Sequence, residues 1–272
     1  MIKHMRFLCL LIIIFSAKTG YGQRISRDSA TQILKLTPAF TIYRDNYIVT
    51  GTTPTEVPTG ENSDIKYQIS FKHRLTDASL PWNSYLFLTY TQKAFWDIYS
   101  WSSPFDEINF NPGLGLGKLL FRNGELLGSL ALQIEHESNG RDSTQSRSWN
   151  FVSGSYTMLI TPKSVVQLKA WLPFFYKSDN PDLIDYVGYT QAMYILEIKK
   201  DKLILDVLGR KGALGWKGNI QAQLNYRPTN SGNAFITLQW YHGYAESLID
   251  YQKKTNMLRL GISVKPFNYL FY

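Results

Sequence analysis

From Ile65 the chain reads I-K-Y-Q-I-S-F-K, which puts Ile65, Tyr67, Ile69 and Phe71 on one side of an extended strand and Lys66, Gln68, Ser70 and Lys72 on the other. The pattern returns with Ile220, Ala222, Leu224 and Tyr226 against Gln221, Gln223 and Asn225, and with Leu258, Leu260, Ile262 and Val264 against Arg259, Gly261 and Ser263. Period-two alternation of this length commits the chain to antiparallel sheet with one apolar and one polar face. A soluble sandwich and a membrane barrel both alternate, so this feature alone leaves the two open.

Three further features favour the barrel. The first residues, MIKHMRFLCLLIIIFSAKTGYGQ, carry Lys3, His4 and Arg6 ahead of an apolar run from Phe7 to Phe15, with small residues at Gly20 and Gly22. That is the pattern of a secretory signal peptide over 1–22, too short to span as a helix, with the mature chain expected to start at Gln23. Tyr and Trp stand near strand ends, as in interfacial girdles, and strands of about ten residues alternate with short and long connections. No later stretch reaches the roughly 20 apolar residues of a spanning helix, so insertion is expected by strands. A secreted β-sandwich esterase, extractable without detergent, is the competing soluble reading.

Composition narrows the chemistry. Cys9 is the only cysteine and lies within the leader, so the mature chain is expected to lack disulfides and thiolate chemistry. Cleavage would lower the formal charge from +8 to +5, and with 15% aromatic residues this fits an anionic lipid surface better than nucleic acid. No Pro/Gly/Ser linker divides the rest into two cores.

The predicted architecture is an all-β antiparallel transmembrane barrel over residues 41–272, with residues 23–40 as a periplasmic N-terminal plug or arm. Its expected strands are 41–50, 64–74, 84–95, 105–121, 125–137, 149–161, 164–173, 187–199, 202–210, 219–227, 234–243 and 256–265. The count, about twelve, is even as in bacterial barrels. The first is interrupted by Arg44, Asp45 and Asn46.

Parity then locates a site. The strand from Glu125 puts Leu126, Gly128, Leu130, Leu132, Ile134 and His136 on the lipid-facing side, and Ser138 keeps that face about 7 Å further on. On the returning strand Asn150 shares a face with Val152, Gly154, Tyr156 and Met158. In a hairpin that sets Asn150 beside His136, the amide oxygen accepts one imidazole proton and leaves the other nitrogen free for the Ser138 proton. An amide in place of a carboxylate avoids a buried charge at the lipid boundary. A lone His-x-Ser is more often plain strand polarity. Three polar residues ending two otherwise apolar faces strengthen the reading.

The segment from His136 to Asn150, HESNGRDSTQSRSWN, resembles the active-site motif of the outer-membrane phospholipase A family. YTQKAFW from Tyr90, SSPFDEINFNP from Ser102, DNPDLIDYVGY from Asp179 and GYAESLIDY from Gly243 also resemble that family's segments, in order, over nearly all of the mature chain. The resemblance implies a twelve-stranded outer-membrane enzyme of a Gram-negative-type bacterium that cleaves phospholipid acyl esters at either glycerol position. It implies activation by homodimerisation and Ca2+. By position in the motif, Ser138 is the nucleophile, His136 the general base, Asn150 the residue orienting it, and Gly140 an oxyanion amide. The calcium ligands it implies are the Ser146 hydroxyl, the Arg141 carbonyl and the carbonyl of Ser102 from the partner subunit. Gln92, an amide on the lipid face by its parity with Leu86, Leu88 and Tyr90, is the expected dimer contact. The chain departs from the family pattern at residues 97–101, which are shorter, and at Asp142, both beside the expected calcium ligands. A catalytically silent barrel or narrow porin that kept the motif is the alternative.

Other polar residues draw plainer readings. His73 and His242 stand near strand ends without evident partners, as interfacial or lumen polarity. Asp179, Asp182 and Asp185 read as a solvated rim, and Gly113, Gly115 and Gly117 as small lumen residues.

Overall fold

The computed structural model describes residues 25–78, 80–229 and 232–266. The predicted leader, 1–22, lies outside the described residues. Thirteen strands form a single antiparallel sheet: β1 (Phe40–Ile42), β2 (Asn46–Thr52), β3 (Ser63–Arg74), β4 (Ser84–Trp96), β5 (Phe105–Arg122), β6 (Glu125–Ser138), β7 (Ser148–Thr161), β8 (Ser164–Phe174), β9 (Thr190–Lys199), β10 (Leu203–Lys211), β11 (Gly218–Tyr226), β12 (Ala234–Gly243) and β13 (Thr255–Val264). Consecutive strands pair from β2 to β13, and β13 pairs back onto β2, so twelve strands close a barrel without an edge. β1 is the broken first part of the same strand as β2: both pair with β3, and the interruption at 43–45 falls where Arg44 and Asp45 break the alternation.

Burial runs opposite to that of a soluble sandwich. On β6, Leu132 and Ile134 are each 57% exposed, whereas Gln133 and Glu135 are 3% and 2% exposed. The same inversion exposes Ile48, Ile69, Leu114, Leu238, Leu260 and Ile262 and buries Lys66, Ser70, Thr237, Gln239 and Arg259. An apolar outer wall around a polar interior requires hydrocarbon outside, which decides between the two architectures.

The lumen is crossed by charged and polar side chains. Lys66 Nζ donates to Glu246 Oε1 (2.9 Å), and Arg259 bonds both Glu246 (2.7 Å) and Asp64 (2.6 Å). Gly113, Gly115 and Gly117 face inward as predicted, where a Cβ would stand 2.6 Å from Thr89 Oγ1, 2.7 Å from the Phe87 ring and 2.4 Å from the Tyr85 ring.

Connections of two or three residues (123–124, 162–163, 200–202) lie at one end, and the loops 53–62, 97–104, 139–147, 175–189 and 244–254 at the other. Helix α1 (Arg27–Leu36) occupies the lumen at the short-turn end, in a segment without strand alternation. Ser26 caps it by accepting from the Ser29 amide (3.2 Å), and Ala30 and Leu34 bury against Tyr85, Phe87, Leu119 and Ala131. At the long-loop end a single turn, α2 (Leu183–Val187), buries Leu183, Ile184 and Val187 against Trp149, Phe151 and Trp171. It replaces the first residues of the strand expected from Val187, so β9 starts at Thr190.

Candidate active site

β6 and β7 form a hairpin whose register sets His136 opposite Asn150 and Ser138 opposite Ser148. His136 Nδ1 stands 2.9 Å from Asn150 Oδ1. An amide oxygen only accepts, so Nδ1 carries the proton and Nε2 presents its lone pair. Ser138, half-buried, follows two residues on along the same outward face, opposite Phe110 of β5. All three side chains stand at the long-loop end of a wall whose adjoining residues are Leu114, Ile134, Val152 and Leu172. That face is the outer wall of the barrel, not the lumen.

The polypeptide around this pair is tied down from several sides. Asn111 Nδ2 donates to the His136 carbonyl (3.0 Å), which fixes β6 against β5 beyond its backbone ladder. Asn139 organises the 139–147 loop: its Oδ1 accepts from the amides of Arg141 (3.3 Å) and Arg147 (2.9 Å), and its Nδ2 donates to the Gln145 carbonyl (2.8 Å). Gly140, between them, has φ 68°, and a Cβ there would stand 3.1 Å from the Phe110 ring. Backbone conformation and space both select glycine, leaving its exposed amide unobstructed by a side chain.

Glu107, fully buried on the lumen side, supports the same loop. It accepts from Asn109 Nδ2 (2.7 Å), the Ile249 amide (3.1 Å) and Asn139 Nδ2 (3.4 Å), and its Oε2 is 3.4 Å from Arg141 Nε. The 244–254 loop thus reaches through Glu107 to the residues flanking Gly140. The sequence offers no signal for either support: strand period assigns Glu107 only to lumen polarity, and Asn139 is one of several polar residues in a loop.

The expected calcium ligands are distributed as follows. Ser146 Oγ donates to Asp179 Oδ2 (3.2 Å), and Ser148 Oγ donates to the same oxygen (2.9 Å). Hydrogen bonds from Ser148, then from Ser178 and Ser146, with the charge of Arg147, hold the Asp179 carboxyl below the usual carboxylate range against a small desolvation cost. The solvated-rim reading therefore needs correction: Asp179 faces Ser146, and Asp182 accepts from Tyr251 Oη and Gln252 Nε2. Arg141, beside Gly140, has its guanidinium bonded to Gln145 Oε1 (3.0 Å) and to the Asp106 carbonyl. Ser102 stands apart from these groups in sequence, exposed in the β4–β5 loop with φ 58°. Trp96 Nε1 braces that loop by donating to the Ser103 carbonyl (2.8 Å).

Gln92 does lie on the outer wall, but its amide oxygen already accepts from Tyr90 Oη (2.9 Å). Its amide nitrogen has no hydrogen-bond partner among the described residues and remains a donor on that wall. His242, expected to lack one, pairs through Nδ1 with Asn256 Oδ1 (3.3 Å). Asn256 also accepts from Trp240 Nε1 (3.0 Å).

Known proteins share the fold and much of the sequence. Residues 26–264 match the family model described as Phospholipase A1. The Phospholipase A1 proteins of Salmonella typhimurium and Escherichia coli are each 34% identical over 210 residues, covering 74% of this chain and 68% of theirs. The outer membrane phospholipase dimer of Salmonella typhi with bound calcium superposes with a TM-score of 0.76 at 28% identity, covering 87% of this chain and 96% of that one. The outer membrane phospholipase A of E. coli gives 0.75 at 28%, covering 84% and 99%. The chain belongs to the phospholipase A1 family, as an outer-membrane β-barrel phospholipase.

Proposed function

We propose that the chain hydrolyses acyl esters of glycerophospholipids, at both glycerol positions and in lysophospholipids, through Ser138, His136 and Asn150, with calcium bound and as a homodimer. The observation that carries this reading is the His136–Asn150 hydrogen bond of 2.9 Å on the lipid-facing wall, with Ser138 two residues along the same face.

In this reading Nε2 of His136 takes the Ser138 proton as Oγ attacks the ester carbonyl, and Asn150 holds the ring while it becomes an imidazolium. The tetrahedral oxyanion meets the Gly140 amide. His136 then gives its proton to the departing glycerol oxygen, leaving a Ser138 acyl ester. Water, deprotonated by the same nitrogen, releases the fatty acid and restores the serine.

The oxygen donors present suit a hard cation: the Ser146 hydroxyl with the Asp179 carboxylate beside it, and the Arg141 carbonyl, to which the Ser102 carbonyl of a partner subunit would be added. Calcium bound there supplies positive charge for the developing oxyanion. The free amide nitrogen of Gln92, on a wall where an unpaired donor is costly, would find its acceptor across a dimer interface. Dimerisation would then control an enzyme whose substrate is its own membrane.

The silent-porin alternative is disfavoured by the lumen, where the Lys66–Glu246–Arg259–Asp64 network and the inserted 244–254 loop occupy the channel. The test is hydrolysis of phospholipid in mixed micelles with calcium titrated against a chelator. Calcium-dependent release of fatty acid is expected, and release that is unchanged in excess chelator would refute the calcium assignment. Crosslinking should raise activity together with dimer content; a fully active monomer would refute the switch.

A further inference from the structure

Most lumen carboxylates are already engaged by a cation. Glu135 pairs with Lys169 (2.6 Å), Glu246 with Lys66 and Arg259, Asp64 with Arg259, and Asp45 and Asp206 share Lys265. Three lumen cations are different. Arg44, Lys93 and Arg210 line one inner cavity of about 110 Å³, and none has an ion pair with a carboxylate among the described residues. Their contacts are to neutral groups. Arg210 Nε donates to Gln191 Oε1 (2.9 Å), Lys93 Nζ to the backbone carbonyl of Glu246, and the Arg44 guanidinium lies 5.5 Å from the Tyr43 ring centroid.

Two carboxylates border this space. Asp45 is held through Oδ2 by Lys265 while its Oδ1 is buried without a hydrogen-bond partner, and Glu137, which faces an adjoining cavity lined by the same three cations, accepts from Trp149 Nε1 through Oε2 (2.9 Å). Gln223 adds a neutral donor: its amide nitrogen is buried, borders the cavity and has no hydrogen-bond partner. Cations converging on one space inside the barrel repel more strongly than they would in water, and buried charge is ordinarily paired. An orphaned buried donor likewise calls for an acceptor. Both demands are met by one negatively charged occupant, and the volume admits an ion of a few atoms rather than a lipid or a nucleotide.

We propose that this cavity is a binding site for a small inorganic anion, held by the guanidinium groups of Arg44 and Arg210 and the ammonium of Lys93, with Gln223 donating from the side. The anion neutralises the interior behind the catalytic wall and stabilises the closed barrel by mass action.

Crystals of the full chain soaked in sodium bromide, with data collected at the bromine absorption edge, test the site directly. An anomalous peak enclosed by Arg44, Lys93 and Arg210 is expected, and its loss in Arg44→Gln/Arg210→Gln. In detergent at constant ionic strength, replacing gluconate, which is too large for the cavity, with chloride should raise the thermal midpoint of the native chain. Gln223→Leu, which leaves every charge in place, should reduce that rise and keeps the test informative if the double variant does not fold. A greater rise in phosphate than in chloride would identify an oxyanion, and the reverse a halide. Absence of a lumen peak, together with equal midpoints in gluconate, chloride and phosphate, would overturn the site.

Discussion

The barrel contains two histidine–asparagine pairs of the same construction. His136–Asn150 joins β6 to β7 and His242–Asn256 joins β12 to β13; each links directly opposed residues fourteen positions apart through Nδ1 and Oδ1, at 2.9 and 3.3 Å. The strands beyond the histidines differ. β6 continues for two residues, so Ser138 inherits the face of His136. β12 stops at Gly243, where φ is 124°, and the next residue, Tyr244, packs its ring 5.3 Å from Tyr186. The second pair is therefore followed two positions on by a tyrosine packed on Tyr186 and not by a serine on a continuing strand, and its asparagine is shared with Trp240. A paired histidine at a strand end is thus not a catalytic sign by itself. What distinguishes the first pair is the extra strand length that carries Ser138, the proposed nucleophile, followed by the loop built on Asn139 and Gly140.

Substitutions at matched positions test that contrast. His136→Ala should lower ester hydrolysis by about a thousandfold or more, because general-base removal disables the nucleophile, whereas His242→Ala should leave it within about twofold, as expected of a residue outside the chemistry. Fatty-acid release from mixed micelles reads both, and equal losses would abolish the distinction. For the asparagines, Asn150→Ala should cost about ten- to a hundredfold, the worth of one hydrogen bond to an imidazolium, and Asn256→Ala about twofold or less. Folding of each variant is checked by the heat-dependent gel shift of the barrel.

Glu107→Gln sharpens the role of the loop. Loss of the carboxylate that faces Arg141 and Asn139 should lower turnover by about tenfold, from weakening charge-assisted bonds, while the gel shift stays as in the native chain. A variant with native turnover would show that the loop needs no support from the lumen.

The smallest effect expected is one of pH. The folded Asp179 carboxyl titrates below its unfolded range, so the order it gives to Ser146 and Ser148 is complete above the unfolded value and is lost as pH falls through the folded one. The calcium concentration for half-maximal activity should rise across that acidic window, and less so in Asp179→Asn. An identical pH response in native chain and variant would remove Asp179 from the calcium account.

The barrel and the shared outward face of His136, Ser138 and Asn150 were legible because a strand returns a side chain to the same side every second residue, a local rule that needs no knowledge of the third dimension. What the rule does not reach was missed. Helix α1 buries only Ala30 and Leu34 and leaves Ile33 and Leu36 exposed, so its ten residues carry no period-two alternation for a strand-based reading to find. Asp179 meets Ser146 from 33 positions away, and Glu107 meets Ile249 from 142, contacts set by how loops fold over the barrel mouth. The Lys66–Glu246 pair likewise depends on a loop entering the lumen, which alternation along single strands does not encode. Gln92 shows the converse: its face was read correctly, while the Tyr90 hydroxyl that half-satisfies it is only two residues away on that same face.

The most direct test of the central claim is hydrolysis of ester-linked phospholipid by the purified chain in calcium-containing mixed micelles, native beside Ser138→Ala. The account predicts fatty-acid release by the native chain and a fall of about a thousandfold or more in the variant, since the attacking oxygen is gone. Release at the native rate by a folded Ser138→Ala barrel would contradict it.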